Sequence, residues 1–397
     1  MKKALFLGGA YAQIPILKEA KARGWYIITC DYLPENPGHK LADEYYNLST
    51  TDREKVFELA KKIKPDYVIA YASDPAAPVA AYVSEKLGLP GNSYASVEIL
   101  SEKDKFRNFL TEHGFNVPKY LSVRGTAVDF EKLKQLRFPV VVKPTDSSGS
   151  KGVTKVESVA GITSAVDYAL HFSRSQRVII EEFIDNLSGD IHGDGFVVDG
   201  ELVFAQLGDH IYTSKANPYN PTGTCWPSSI ESSAIEEIRT EVARIVKLSG
   251  FNSGAINIEA RFTKNNVPYV MEIGPRNGGH FVPQALFYAT GFDMVSGYLD
   301  ILEGKYTHTH ISAVRPSAYI ALNSNENGIL ETITLDEEIQ PFINEFHQYI
   351  QPGQAVNSFQ GANAAIGIVL LTFPSVAIMQ NMLDRMSDLI FVKVDNV

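Results

Sequence analysis

The N-terminal part of the sequence alternates short apolar runs with longer segments of helical periodicity. The predicted elements are strands at residues 4–7, 26–30 and 67–70, with helices at residues 12–23 and 55–62 between them. Strands and helices that alternate at these lengths form a parallel sheet with helices packed on its faces. We therefore predict an α/β domain over residues 1–95.

The ends of two of these strands carry candidate ligand contacts. The first strand runs into Gly8-Gly9, and the third runs into Ser73-Asp74. The dinucleotide fingerprint G-x-G-x-x-G is absent, which disfavours a nicotinamide-dependent oxidoreductase. Open parallel sheets bind ligands beyond the carboxyl ends of their strands. Asp74 is therefore expected either to contact a substrate or to cap the next helix.

A predicted β-hairpin later in the chain carries two glutamates. Polar and apolar residues alternate in its first strand, residues 254–262, so Asn257 and Glu259 share one face. A two-residue turn at Asn265-Asn266 pairs Glu259 directly with Glu272. Opposed carboxylates repel unless a cation lies between them, and oxygen ligands favour magnesium. The pattern predicts a Mg²⁺ (or Mn²⁺) site at these two glutamates.

A lysine at a strand end and the loop after it indicate phosphate chemistry. The β-branched run at residues 140–142 leads into Lys143, whose charge needs a partner at the end of a buried strand. The glycine- and serine-rich residues 146–152 follow, and such a loop brings backbone N–H groups close to an anion. The P-loop pattern G-x-x-x-x-G-K-[ST] is not met. We predict an anion-binding loop, and a plain hairpin loop is the alternative.

Three further segments carry weaker signals. Residues 178–184 form an apolar strand interrupted by Glu181 and Glu182, which is typical either of an adenine-reading edge or of an edge strand with solvated acids. Arg276 follows the second hairpin strand and is placed to reach phosphate oxygens. The polar segment 209–227 is expected to face a substrate with Lys215, and His210 and His280 are each either substrate contacts or structural residues.

Composition narrows the classes of function. The chain has 397 residues and a formal charge of −10, an acidic balance that disfavours a general nucleic-acid binder. Its two cysteines are far apart in sequence, which fits a reducing cytoplasm. No apolar run approaches the roughly 20 residues that a membrane-spanning helix needs. In residues 307–397, strands are predicted at 317–322, 365–371 and 389–394, with a helix at 375–386.

Taken in order, the helix that carries Lys103, the Lys143 strand, the loop after it and the glutamate hairpin resemble the ATP-grasp superfamily. The resemblance covers residues 1–305. It implies an α/β fold with an N-terminal parallel-sheet (pre-ATP-grasp) domain at 1–95 and a two-lobed α+β ATP-grasp domain at 96–305. The lid lobe of that domain is expected at about 118–185, and residues 306–397 are expected to form a small C-terminal α/β domain.

The resemblance also assigns residues to a site. Lys103 rather than Lys105 matches the cationic helix position, and it implies that Lys103 and Lys143 contact the nucleotide phosphates. The remaining implied roles are a flap over the triphosphate (Ser147, Ser148, Gly149, Gly152), adenine binding (Glu181, Phe183, Ile184), ribose binding (Asp190), metal binding (Glu259, Glu272) and catalysis (Lys143, Arg276).

One position departs from the pattern of this family. Many members read E-x-N-P-R, in which the asparagine is a third metal ligand, whereas this chain has Gly274 there. The hairpin register that pairs Glu259 with Glu272 also pairs Gly274 with Asn257. We hypothesise that Asn257 supplies the missing oxygen, directly or through water. A site of two carboxylates with more water is the alternative.

The resemblance implies an ATP- and Mg²⁺-dependent carboxylate–amine ligase that forms an acyl phosphate, makes a C–N bond and releases ADP and phosphate. Its expected partners are small carboxylates and amines, with no nucleic acid or membrane, and a homodimer in the cytoplasm is expected. A glycinamide-ribonucleotide-type or sugar-amine ligase is an alternative. A non-catalytic ATP-binding sensor is an alternative of another class, favoured only by Gly274.

Overall fold

The computed structural model describes residues 1–187, 189–308, 311 and 313–395; the other positions of the predicted C-terminal segment lie outside the described residues. Twelve helices are formed by the described residues: α1 Ile14–Ala22, α2 Arg53–Ile63, α3 Ala77–Leu87, α4 Tyr94–Ser101, α5 Lys103–Glu112, α6 Phe130–Leu133, α7 Ile162–Leu170, α8 Ser232–Ser249, α9 Val282–Thr290, α10 Met294–Leu302, α11 Val376–Asp384 and α12 Met386–Leu389. Within the described ranges, none of these helices is both long and apolar enough to span a bilayer.

Nineteen strands are formed by the same residues: β1 Lys3–Leu7, β2 Tyr26–Asp31, β3 Glu44–Asn47, β4 Tyr67–Ile69, β5 Tyr120–Arg124, β6 Val140–Pro144, β7 Thr154–Val156, β8 Arg177–Glu182, β9 Ile191–Val198, β10 Glu201–Ile211, β11 Gly223–Trp226, β12 Gly254–Phe262, β13 Pro268–Gly274, β14 Ser317–Leu322, β15 Gly328–Leu335, β16 Ile343–Gln348, β17 Ala355–Val356, β18 Gly367–Thr372 and β19 Ile390–Asp395.

The N-terminal unit is the predicted parallel sheet, in the order β3-β2-β1-β4. Its central strands are buried because α1, α2 and α3 pack their apolar faces on them. Strand β3 was not predicted, since its sequence Glu-Tyr-Tyr-Asn lacks an apolar run. Asp74 lies in the loop between the carboxyl end of β4 and α3.

A separate antiparallel sheet lies where the lid lobe was predicted. Its strand order is β5-β8-β6-β7, and α6 and α7 cover one face. The alternating burial of β6 places Val140 and Val142 in this small core. Lys143 and Val141 therefore face the other way, toward the central part of the molecule.

The central sheet has eight strands in the order β13-β12-β9-β10-β11-β14-β18-β16, and all of its neighbours are antiparallel. Helix α8 buries its apolar stripe against it. Three strands from beyond residue 306 belong to this sheet, and only β17-β15-β19 form a separate sheet. The boundary predicted at residue 305 is therefore crossed by a continuous sheet.

The hairpin of β12 and β13 has the predicted pairing of its two glutamates but a different turn. Glu259 is paired with Glu272, as predicted, whereas the two-residue turn at Asn265-Asn266 is wrong. Residues 264–266 form a three-residue loop, because the backbone N–H of Thr263 bonds to Val267. That loop shifts the register by one residue, and a bulge at Met271 shifts it back.

Candidate active site

A cavity of about 450 Å³ lies between the β5-β8-β6-β7 sheet and the central sheet. Twelve of the predicted site residues line it: Lys103, Lys143, Ser147, Ser148, Gly149, Glu181, Phe183, Ile184, Asp190, Glu259, Glu272 and Arg276. Gly152 and Asn257 are not among its lining residues. Segments up to 173 residues apart in sequence thus converge on one space large enough for a nucleotide-sized ligand.

Helix α5 contributes two cations to this region. Lys103 and Arg107 are four residues apart, so they share one face of the helix, and both are buried. The Lys103 Nζ atom donates to the backbone oxygen of Ser147 at 2.8 Å and lies 3.1 Å from Glu272 Oε2. Burial lowers the pKa of Lys103, but the contact with Glu272 and the charges of Asp74 and Glu259 together raise it.

Arg107 was missed by the sequence analysis, although its four-residue spacing from Lys103 was a usable signal. Its guanidinium is fully buried and donates from Nε to Glu181 at 2.9 Å and from Nη1 to the backbone oxygen of Met271 at 2.8 Å. Met271 is the bulged residue of the hairpin. Arg107 therefore connects the lid strand β8 to the bulge that sets the position of Glu272.

Glu181 lies between two cations. Lys143 Nζ is 2.5 Å from its Oε1 atom, and Arg107 bonds to its other oxygen. Burial raises the pKa of Glu181, but Arg107 and Lys143 lower it to about 2. Burial lowers the pKa of Lys143 despite the attraction of Glu181. Glu181 is thus ionised at neutral pH and holds Lys143 at the cavity wall.

The glutamate pair has the features expected of a cation site. Burial raises the pKa of Glu259, and the nearby charge of Glu272 raises it further. Among the described residues, no three His, Cys, Asp or Glu side chains form a metal cluster. Two carboxylates facing a cavity still suit Mg²⁺, which is commonly bound by one or two carboxylates together with substrate phosphates and water. The donor set present therefore fits this ion.

The predicted flap lies over the cavity with its backbone in left-handed conformations. Gly149, Ser150 and Gly152 all have positive φ angles. A β-carbon on Gly152 would lie 2.9 Å from Phe172 and 3.2 Å from Pro144, so Gly152 packs the loop against its base rather than lining the cavity. The Ser150 hydroxyl donates to the backbone oxygen of Tyr219 at 2.8 Å. The second half of the loop is therefore held in place at Ser150 and Gly152, and Ser147 to Gly149, which precede these contacts, line the cavity.

The far end of the cavity is built around Asp190. Arg261 donates to it at 2.6 Å, Asn186 at 2.7 Å and the Tyr212 hydroxyl at 2.8 Å. Burial raises the pKa of Asp190, but Arg261 together with the hydrogen bonds from Tyr212 and Asn186 lowers it. The Arg261 guanidinium also lies 4.9 Å from the centre of the Phe183 ring. Arg261 and Tyr212 line the cavity but were given no role from the sequence.

Arg276 is paired with Asp74 of the N-terminal unit. Its Nε and Nη2 atoms each donate to one Asp74 oxygen at 2.6 Å. Asp74 does not cap α3, whose N-cap residue is Ala76. Burial raises the pKa of Asp74, but the charge of Arg276 lowers it on balance. Of the two roles expected for Asp74, capping is wrong, and the substrate contact stays a prediction.

Asn257 pairs with Gly274 as predicted, but its amide has other partners. Its Nδ2 atom donates to Asp194 Oδ1 at 2.8 Å and to His192 Nε2 at 2.9 Å. Burial raises the pKa of Asp194 to about 6, and Asp194 also accepts from the backbone N–H of Gly278 at 2.8 Å. These contacts give Asn257 a structural role beside the cavity. These contacts involve only the Nδ2 atom, so the role of Asn257 as a metal ligand through its oxygen stays a prediction.

Of the two histidines and the polar segment 209–227, some residues line the cavity and others do not. His210 lines the cavity, stacks on His192 at 4.2 Å and contacts the Thr224 hydroxyl at 2.9 Å. His280 contacts the backbone oxygen of Ala362 at 3.1 Å and lies outside the cavity lining. The segment after β10 does face the cavity, but through Tyr212 and Tyr219, while Lys215 is exposed to solvent.

Comparison with known proteins finds one matching domain family, since residues 136–284 match the ATP-grasp domain. An uncharacterized protein, y4rH of Sinorhizobium fredii, is 24% identical over 76% of this chain and 63% of its own length. The formate-dependent phosphoribosylglycinamide formyltransferase of Prochlorococcus marinus is 28% identical over 46% of this chain and 48% of its own length. The chain thus spans about half to two thirds of the length of these curated relatives.

The whole chain also has the fold of a solved structure. An L-amino acid ligase from Bacillus licheniformis superimposes with a TM-score of 0.81 and 20% identity, over 100% of this chain and 99% of that chain. This likeness confirms the predicted α/β fold with an N-terminal parallel sheet, and the large antiparallel sheet that follows it is a finding of the structure.

Proposed function

We propose, from the premise that this chain carries an ATP-grasp domain of the kind found in ADP-forming ligases, that it is an ATP- and Mg²⁺-dependent carboxylate–amine ligase. The observation that carries the proposal is the pairing of Glu259 with Glu272 at one cavity with Lys103, Lys143 and Arg276. Two carboxylates that face the cavity, with three cations around them, form a site for a cation and a polyphosphate together.

In the proposed reaction, a carboxylate oxygen of the first substrate attacks the γ-phosphorus of ATP. The bond to the bridging oxygen breaks, and ADP leaves with that electron pair. The amine nitrogen of the second substrate then attacks the acyl carbon and loses a proton, and phosphate leaves. Positioning and charge neutralisation supply most of the catalysis in such phosphoryl transfers, so no protein nucleophile is required.

The residues of this chain have distinct proposed tasks. Lys103 and Lys143 bind the phosphates, residues 147–152 cover them, and Arg276 stabilises the transferring phosphoryl group. Glu181, Phe183 and Ile184 bind the adenine, and Asp190 binds the ribose. Glu259 and Glu272 hold Mg²⁺, which supplies neutralisation of the phosphate charge when bound.

The test is ADP release from ATP with MgCl₂ over a panel of amino acids and small carboxylates, alone and in pairs. We expect one compound to stimulate release, and Glu272→Gln to abolish that stimulation. Glu201→Gln, at an exposed carboxylate far from the cavity, is the matched control and should retain it. ATP binding without any stimulated release would instead favour the non-catalytic sensor.

A ligase that acts on a phosphorylated sugar amine is the second candidate. The similarity to a phosphoribosylglycinamide formyltransferase favours it. Adding formate with glycinamide ribonucleotide, and glycine with a ribosylamine phosphate, to the same panel separates the two candidates. Stimulation by the sugar phosphates but by no free amino acid pair would favour the ligase that acts on a phosphorylated sugar amine.

The proposal includes a cytoplasmic location and a homodimer. Cys30 and Cys225 are both buried and unpaired, which is compatible with a reducing compartment. Light scattering after gel filtration tests the assembly, because a homodimer elutes with twice the mass of one chain.

A further inference from the structure

Arg276 is held by a carboxylate from a distant part of the chain. Asp74 lies 202 residues away in sequence and accepts two parallel bonds, from Nε and Nη2, both at 2.6 Å. Such a bidentate pair fixes the plane of a guanidinium as well as its position. The N-terminal unit therefore determines how this arginine is presented to the cavity.

In the described part of the chain, two N–H groups of Arg276 remain available to a ligand. A guanidinium has five N–H donors. Two go to Asp74, and one on Nη1 goes to the backbone oxygen of Asn277 at 2.9 Å. In the part of the chain that the structure describes, one N–H on each Nη atom has no acceptor, and Arg276 lines the cavity. Two donors on neighbouring nitrogens bind two oxygens of a phosphoryl or carboxylate group.

Gly274 lies beside the Asp74–Arg276 pair, and the lack of space there explains why position 274 has no side chain. A β-carbon on Gly274 would lie 2.9 Å from Asp74 Oδ1 and 3.3 Å from both Cζ and Nε of Arg276. The φ angle of Gly274 is not positive, so the backbone conformation itself does not demand glycine. Any larger residue at position 274 would displace the Asp74 carboxylate from Arg276.

We propose that Asp74 is a positioning residue for Arg276, and that position 274 is glycine in order to admit it. The inference rests on the proposed function, in which Arg276 contacts the transferring phosphoryl group. The Asp74 carboxylate of the N-terminal unit thus enters the space that Gly274 leaves.

The first test removes the negative charge of Asp74 while keeping the shape of its side chain. Asp74→Asn should lower the turnover number for ADP release about 100-fold, because small misplacements of a catalytic group have effects of that order. The KM for ATP should change by less than about threefold, since the adenine and phosphate contacts remain. Titration with AMP-PNP and MgCl₂ should still give one site per chain, which excludes loss of folded protein as the cause. An unchanged turnover number refutes the positioning role.

The second test is steric and needs no activity. Gly274→Ala should lower the thermal unfolding temperature of the wild-type chain but have little effect in an Asp74→Ala background. Gly279→Ala is the matched control, because a β-carbon there meets no atom within 4 Å. Equal decreases in both backgrounds refute the inference even if the chain is an active ligase. If Gly274→Ala lowers the unfolding temperature only when Asp74 is present, and the chain releases no ADP, the proposed function is refuted and the Asp74–Gly274 contact is retained.

Discussion

The Nζ atom of Lys103 lies 3.1 Å from the Oε2 atom of Glu272, so a cation of the chain already contacts one of the two carboxylates proposed to bind Mg²⁺. The same arrangement recurs around the cavity, where Lys143 contacts Glu181 and Arg276 contacts Asp74. Each cation proposed to bind phosphate is therefore neutralised by a carboxylate of the chain itself. Binding of Mg²⁺ to Glu272 must exchange the Lys103 partner, whereas Arg276 keeps Asp74 and offers its two remaining N–H groups to the ligand.

Removing Lys103 should expose this exchange. In Lys103→Met the repulsion between Glu259 and Glu272 is no longer offset, so MgCl₂ should raise the thermal unfolding temperature more than it does in the wild type. ATP affinity should fall roughly tenfold or more, because a charged hydrogen bond contributes about 1.5–3 kcal/mol. Lys105→Met is the control on the same helix, since Lys105 contacts Glu98 and Glu102 instead. Identical Mg²⁺ responses in the two variants would contradict the interpretation.

Arg107 should be critical for stability. Arg107→Leu leaves the buried carboxylate of Glu181 without one of its two cations and the Met271 oxygen without a donor. Breaking a buried pair on one side costs about 3–5 kcal/mol, measured here as the free energy of unfolding in urea. The double variant Arg107→Leu/Glu181→Leu should recover part of that loss. Arg244→Leu, at a partly exposed arginine, should change stability by about 1 kcal/mol or less. Equal losses for the two arginines would remove Arg107 from this role.

His210 should make folding stability depend on pH. Burial lowers its pKa from 6.5 to about 4. Above pH 6.5 the imidazole is neutral in both states and has no effect. Between pH 6.5 and 4 the unfolded chain binds a proton that the native chain does not, so stability falls as the pH falls. His210→Gln should flatten the curve of unfolding temperature against pH in this window. His171→Gln, at an exposed histidine, should follow the wild type; a curve unchanged by His210→Gln would contradict the assignment.

Asn257→Ala separates the two roles considered for this residue. The structure leads us to expect a loss of about 1–3 kcal/mol in stability, because Asp194 loses a buried hydrogen bond. The concentration of Mg²⁺ that gives half-maximal ADP release should then stay the same. A marked rise in that concentration would instead support Asn257 as a metal ligand.

Much of the site followed from local pattern. Alternation along residues 254–262 was enough to place Glu259 on the polar face, whereas the resemblance to the ATP-grasp pattern singled out Lys103 over Lys105. The N-terminal sheet followed from its apolar runs. Strand β3 did not, since its residues carry no such pattern, and three of the tail strands belong to the central sheet because of pairings with distant strands such as β11.

The sequence by itself determined that Glu259 lies on the polar face of its strand, because side-chain direction repeats every two residues in a strand. Residues such as Phe183 and Asp190 were assigned by the resemblance. Only the tertiary structure decided how they meet. The register of Glu272 depends on a bulge at Met271 that Arg107 holds from 164 residues away, and the orientation of Arg276 depends on Asp74, 202 residues away. Such contacts arise when separate elements pack together, and no local pattern in the chain encodes their geometry.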